Sequence, residues 1–142
     1  MSIFPMIQPT TDEVGQIRTL PLAREVAWDY ENDVPIFRRG EPVTVTGKEA
    51  VKVWIWNAIH TERYRHEIYS WAYGSEFHGL VGQVYTPNLK TAEAPRYLRE
   101  CLLINPYITA VNNITVEFAD ARLSVSGAAM TVYGGVPIYA AL

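Results

Sequence analysis

Hydrophobic and polar residues alternate in three segments near the start of the sequence and predict three short strands. The segments read EVAWDY, VPIFRRG and EPVTVTG, and in the last of them Val43 and Val45 alternate with threonines. Residues 1–24 contain scattered prolines and show no sustained period. We therefore predict an extended N-terminal arm over residues 1–24, followed by one folded domain over residues 25–142.

Two rows of apolar residues at i, i+4 spacing predict a helix in GKEAVKVWIWNAIHT. The rows are Ala50, Trp54, Ala58 and Val51, Ile55, Ile59. Because Trp54 shares a row with two alanines, we expect its side chain to be buried. A later helix is predicted in TAEAPRYLRECLLIN, with Thr91 as its N-cap and Cys101 on an apolar stripe. Between these helices, Ser75 is predicted to cap a short helix in SEFHGLVG.

The alternation returns in ITVEFADARLSVSGAAMTVYGG, which reads as two strands joined by a turn. Strands at both ends of the domain, with two to three helices between them, predict the α+β class. We expect one compact domain whose mixed or antiparallel sheet packs against the helices.

The segment VPIYAAL is almost wholly apolar and predicts one more strand at a sheet edge. Two placements are open, one on its own domain and one on a neighbouring subunit by strand exchange. In the second case Val136, Ile138 and Tyr139 would be interface residues. Deletion of residues 136–142 would then leave a soluble, folded chain.

Composition narrows the range of functions. A chain of 142 residues with a net charge of −3 fits a single globular domain and disfavours binding of nucleic acid, which depends on Lys and Arg. No apolar run is long enough to cross a membrane, and no secretion signal is present. The single Cys101 excludes an internal disulfide. Arginine outnumbers lysine and tyrosine is abundant, a bias typical of protein interfaces and also of some genomes.

The most chemically varied segment is TERYRHEIYSWAYGSEFHGLVGQ, residues 61–83. It lacks the H-E-x-x-H spacing of a zinc site, a phosphate-binding loop and a nucleophile motif. Glu62 and Glu76 could form a glycosidase pair, but Arg63 and Arg65 favour an ionised Glu62, whereas a catalytic acid must be protonated. We therefore predict no catalytic residue, no metal and no cofactor.

A glutamate next to arginines at a helix end suits bidentate pairing across a protein interface. The residues alone fit equally well a second interpretation, in which Glu62 and Arg63 only complete the preceding helix. Nearby aromatic residues are typical of contact surfaces, and Trp71 is the best candidate anchor. The predicted interface residues in this segment are Glu62, Arg63, Tyr64, Arg65, Tyr69, Trp71, Tyr73 and Glu76.

Residues 47–83 resemble a family of small baseplate proteins from the contractile tails of phages, defective prophages and phage-tail-like bacteriocins. The resemblance extends over about residues 25–135, and the combination of TERY with IYSWAYG is its most specific part. The matching positions are Gly47, Glu49, Ala50, Val51, Thr61, Glu62, Arg63, Tyr64, Ile68, Tyr69, Ser70, Trp71, Tyr73, Gly74, Glu76, Leu80 and Gly82.

The resemblance implies a structural role as a sheath initiator. Glu62 and Arg63 would dock on the core helical bundle of the baseplate wedge, in a hexameric ring around the tail tube where the sheath starts to polymerise. The implied partners are wedge proteins, sheath protein and tail tube, without nucleic acid or membrane, in a particle assembled in the host cytoplasm. Two alternatives stay open: a small muralytic hydrolase, since some members carry an old lysozyme label, or another connector protein of the tail.

Overall fold

The computed structural model describes residues 20–65, 67–70, 72–82 and 86–142. The described part confirms the α+β class, with paired strands that run antiparallel. In chain order the elements are β1 (Arg24–Val26), β2 (Trp28–Asp29), β3 (Val34–Pro35), β4 (Phe37–Arg38), β5 (Glu41–Pro42), β6 (Thr44–Thr46), α1 (Lys48–His60), α2 (Phe77–Gly82), α3 (Pro87–Leu102), β7 (Ile108–Ala119), β8 (Arg122–Thr131) and β9 (Gly134–Ala141).

The first six strands form three short pairs that meet at one junction. β1 pairs with β6, β2 with β3, and β4 with β5. At the junction three hydrogen bonds of 2.7–3.0 Å form a cycle. The Ala27 N–H donates to the Val43 carbonyl, the Val43 N–H to the Ile36 carbonyl, and the Ile36 N–H to the Ala27 carbonyl. The three predicted strands are therefore present, but each is divided in two because its backbone changes partner at this point.

The remaining strands form one antiparallel sheet in the order β7-β8-β9. Asp120 and Ala121 both have positive φ angles, 52° and 59°, as the tight turn of a two-residue hairpin requires. The turn lies where the alternation predicts it. Register shifts in β7, one of them next to Asn113 with its φ of 55°, interrupt the pairing with β8.

The core lies between one face of this sheet and the helices. α1 and α3 pack against each other. α1 also packs against β9, and α3 packs against β7. The predicted rows of α1 and the stripe of α3 both supply core residues. The buried residues at the centre are Val51, Ile55, Ala58, Ile59, Phe77, Leu98, Cys101, Leu102, Leu123, Val125, Val136 and Ile138.

Two predictions about the helices need correction. α3 starts at Pro87 rather than near Thr91, because the Thr86 hydroxyl oxygen accepts the N–H of Leu89 at 3.3 Å and proline is favoured in the first turn. Pro95 consequently lies inside the helix and not in its first turn. Trp54, predicted to be buried, is only partly buried beside the core.

The last strand takes the first of the two placements that the sequence left open. β9 pairs along its whole length with β8 of its own chain, and Val136 and Ile138 are 1% and 4% exposed in its core. Alternation along β9 leaves Tyr139 on the opposite face, 66% exposed. Val136 and Ile138 therefore do not form a surface, because the apolar side chains that would reach a neighbour are packed under the helices of this domain.

Candidate docking site

The docking loop, defined as residues 62–76, is attached at both ends to the last turn of α1. Carbonyl groups in the last turn of a helix have no donor within the helix. Here the Thr61 hydroxyl donates to the Asn57 carbonyl at 2.6 Å, and the buried Ser75 hydroxyl donates to the Ile59 carbonyl at 2.6 Å. The entry and the exit of the loop thus satisfy the helix end from two sides.

A short parallel bridge closes the base of the docking loop. The Arg63 N–H donates to the Ser75 carbonyl at 3.0 Å, and the Ser75 N–H donates to the Thr61 carbonyl at 2.8 Å. Gly74 has a φ of 103°, and a Cβ there would lie 2.9 Å from the Thr61 oxygen and 3.0 Å from the Arg63 backbone. Ser75 is predicted to cap α2, but that helix begins at Phe77, which places Glu76 at the N-cap position, and the Ser75 hydroxyl donates to Ile59.

The structure brings together the four predicted charged residues of the loop. Arg65 Nη1 lies 2.9 Å from Glu62 Oε2, and Arg63 Nη1 lies 4.0 Å from Glu76 Oε2. The Arg63 guanidinium also lies over the ring of Tyr64, 4.7 Å from its centre, and that tyrosine is 53% exposed. Glu62 and Arg63 therefore pair with different residues, and each keeps part of its side chain accessible.

Aromatic rings cover the side of the loop that faces α1. Tyr73 contacts Tyr69, with ring centres 4.7 Å apart, and Trp54 edge to face at 5.8 Å. Burial raises the pKa of Tyr73 to about 12, against the opposing effect of its hydrogen bond with Thr61. Tyr69 is exposed and Tyr73 half-buried, so these rings lie at the surface only in part. The predicted anchor Trp71 lies outside the described residues.

The end of α3 extends the loop surface in a way that the sequence did not indicate. Arg63 lines an open hollow of about 540 Å³ together with Arg99, Glu100, Leu103 and Ile104. Leu103 and Ile104 are exposed, and they follow the last helical turn directly. Their separation from the loop in sequence explains why no local pattern grouped them with Arg63.

Tyr139, the exposed member of the predicted β9 interface, belongs to a different surface. It lines an apolar hollow of about 310 Å³ with Pro137 of β9 and with Tyr30, Lys52 and Trp56. The Lys52 ammonium lies 5.2 Å from the Tyr30 ring centre, and that ring meets Trp56 edge to face. Of the three predicted interface residues in β9, only Tyr139 is exposed, and its hollow shares no residue with the docking loop.

Two observations concern the groups that a metal site or a thiol nucleophile would require. Within them, no three His, Cys, Asp or Glu side chains are grouped so that they could hold a metal ion. Burial raises the pKa of the Cys101 thiol to about 12, so this sulfur is almost wholly protonated at neutral pH. No helix in the same part of the chain is long and apolar enough to cross a membrane.

Comparison with known proteins identifies a family and a relative. The family model described as "Contractile injection system sheath initiator" matches residues 24–134. "Phage-like element PBSX protein XkdS" of Bacillus subtilis (strain 168) is 33% identical over 95 residues, which is 66% of this chain and 67% of that protein. The range matched by the family model contains the whole docking loop and ends at the first residue of β9.

Proposed function

The chain belongs to the contractile injection system sheath initiators, and from this premise we propose that it docks on the baseplate wedge and starts sheath polymerisation. Membership makes the chain a structural component of a contractile tail, as the resemblance in TERY and IYSWAYG implies. The proposal adds which surfaces carry out the two steps. The docking loop contacts the helical bundle of the wedge, and the β9 edge receives the sheath.

The hydrogen-bonded base of the docking loop is the main observation in support of docking on the wedge. Hydrogen bonds from Thr61 and Ser75 fix the loop on the end of α1, so that Glu62 and Arg63 are held in place before any partner binds. Preorganisation lowers the entropic cost of binding. Leu103 and Ile104 add exposed apolar surface beside Arg63, giving the mixed charged and apolar character of an interface.

The sheet edge supports the second step. In the described part of the chain β9 has β8 as its only sheet neighbour, so its other side presents backbone groups that a strand from the sheath protein can pair with. This replaces the exchange of residues 136–142, whose apolar side chains are in the core. Hydrogen exchange on assembled particles checks it: amides on the outer side of β9 should gain protection relative to the isolated protein.

Assembly follows from these two contacts. We place the protein in the baseplate of a virion or tail-like particle, in a hexameric ring around the tail tube, assembled in the host cytoplasm from wedge, tube and sheath proteins. Neither nucleic acid nor membrane takes part in this scheme. Electron microscopy of particles with a tagged copy of the chain tests the position, which should coincide with the first sheath ring.

Incorporation of an Arg63→Ala protein into particles tests the docking step. Losing one partner of a buried interfacial charge pair weakens binding by roughly 2–5 kcal/mol, whereas an exposed pair contributes only about 0–1 kcal/mol to folding. We expect an almost unchanged thermal midpoint and a strong loss of incorporation. Arg96→Ala is the matched control, because Arg96 pairs with Glu93 and Glu100 on the exposed side of α3. If the Arg63→Ala midpoint falls steeply while folded molecules still assemble, the docking role is wrong.

A muralytic activity is the alternative that this proposal excludes. Glu62 and Glu76 each lie beside an arginine of the docking loop, as expected of charged residues at a contact surface. We expect purified protein to release no soluble fragments from peptidoglycan. Release that disappears in a Glu62→Gln protein would overturn the structural role.

A further inference from the structure

A cavity of about 390 Å³ opens between the docking loop, α1 and the strands near the start of the domain. Its volume is in the range of small-ligand pockets. Four aromatic side chains and one carboxylate dominate its walls. The lining residues are Glu25, Trp28, Trp54, Asn57, Thr61, Tyr69 and Tyr73.

Contacts among the lining residues and with residues behind them hold the aromatic walls in place. The indole N–H of Trp28 donates to Asp33 Oδ1 at 2.9 Å, and the same oxygen accepts the indole N–H of Trp56 from α1 at 2.8 Å. On the other side, Tyr73 contacts both Trp54 and Tyr69. Three elements distant in sequence thus place tryptophan and tyrosine rings around one space, and the faces of such rings attract cations.

Glu25 supplies the only ionisable carboxylate among the described lining residues, and no Lys or Arg is found among them. Partial burial raises the pKa of Glu25, and the backbone N–H of Val26 offsets this only in part. A carboxylate partly removed from water gains most from a cation that enters the same space. The chemistry of the walls is therefore complementary to a positive charge on an apolar stem.

We propose that this cavity binds a lysine or arginine side chain of another protein of the particle. The proposal rests on the docking function, because Thr61 lines the cavity and the next residues, Glu62 and Arg63, form the proposed contact with the wedge. An inserted cation would stack on the rings and pair with Glu25. The same partner would then be held at two neighbouring points, one by the charged loop and one by the cavity.

The first experiment tests the cation preference in the isolated protein. The indole N–H resonances of Trp28 and Trp54 are followed by NMR during titration with the N-acetyl amides of arginine, lysine, citrulline and norleucine. We expect saturable shifts with the arginine and lysine amides. The response to the uncharged citrulline and norleucine amides should be about tenfold weaker. The shifts should vanish in Glu25→Gln and persist in Glu117→Gln, which changes an exposed glutamate on β7. Equal responses to charged and uncharged amides, or none at the highest soluble concentration, would overturn the proposal.

The second experiment asks whether assembly uses the cavity. Glu25→Gln should reduce incorporation into particles about tenfold, with a thermal midpoint unchanged or higher because it removes a partly buried charge. If Arg63→Ala blocks incorporation and Glu25→Gln does not, the cavity binds small cations only and this inference fails, while the docking function survives. If Glu25→Gln blocks it and Arg63→Ala does not, the cavity is supported and the docking role of Arg63 fails.

Discussion

Buried side chains are spread along the strands of the β7-β8-β9 sheet and alternate most regularly in β9, whereas in the docking loop only Gly74 and Ser75 are buried among the described residues. The sheet is held by apolar burial spread over many positions. The loop is held by a few hydrogen bonds and one close backbone approach at its base. A surface of the kind proposed for the docking loop, which presents charges to a partner, cannot use apolar burial, so its order depends on a small number of contacts.

The difference matters for how each region responds to change. A sheet with distributed burial loses stability in proportion to the apolar surface that is removed. A loop fixed at its base can lose its shape through one substitution there and yet tolerate changes at its tip. Four measurements test this contrast.

Deletion of residues 136–142 should abolish cooperative folding. It removes two large core side chains, Val136 and Ile138, each contributing roughly 1.5–3 kcal/mol, together with the backbone pairing of β9. The total is a large part of the roughly 5–15 kcal/mol that stabilises a typical domain. Thermal unfolding followed by circular dichroism should show no transition, whereas Tyr139→Ala on the exposed face should unfold almost like the parent. A truncated chain with an unchanged midpoint would mean that β9 is not part of this core.

Gly74→Ala should destabilise the protein far more than Gly134→Ala. Both glycines have positive φ angles, 103° and 110°, so alanine costs about 1–3 kcal/mol of backbone strain at either place. Only at Gly74 does the added Cβ meet backbone atoms at 2.9–3.0 Å, and crowding there adds about 1–3 kcal/mol. Urea unfolding of both variants measures the difference. An equal loss of unfolding free energy in the two variants would show that the two chain segments at the base of the loop can separate without cost.

Ser75→Ala should cost about 1–3 kcal/mol, because it leaves the Ile59 carbonyl without its hydroxyl donor in a buried site. Ser70→Ala, at an exposed position of the same loop, should stay within about 0.5 kcal/mol of the parent. The free energies come from the same urea experiment. An unchanged free energy of unfolding in Ser75→Ala would imply that water reaches the end of α1 and replaces the hydroxyl as donor to the Ile59 carbonyl.

The rate at which Cys101 is labelled measures how often the structure beside the docking loop opens locally. With its pKa raised from 9.0 to about 12, the thiolate fraction at pH 8 falls about a thousandfold, and labelling by an aromatic disulfide should be slower by at least that factor than in urea. The Arg63 charge opposes the rise in the pKa of Cys101, which places the loop near this sulfur. Gly74→Ala should therefore speed labelling, and Gly134→Ala should not. Equal acceleration by both variants would attribute it to global unfolding.

Periodicity predicted the regular elements, but not the start of α3 or the division of the first three strands. The i, i+4 rows of α1, the stripe of α3 that carries Cys101 and the turn near Asp120 are all found where the pattern predicts them. These features depend on side chains that are neighbours along a helix or alternate along a strand, so the information is local. The same holds for the family, which TERY and IYSWAYG indicated and the match over residues 24–134 establishes.

Contacts between distant residues were decided only by the tertiary structure. Ser75 fits a helix cap by local rules, but its hydroxyl meets the Ile59 carbonyl because the loop returns to α1. The VPIYAAL segment reads the same whether it pairs with its own domain or with another, since either partner satisfies the backbone and covers the apolar face. In the fold this segment pairs with β8 and packs against α1. Likewise, Glu25, Trp28 and Tyr73 share one cavity only because three separate elements converge there, and no spacing along the sequence encodes that convergence.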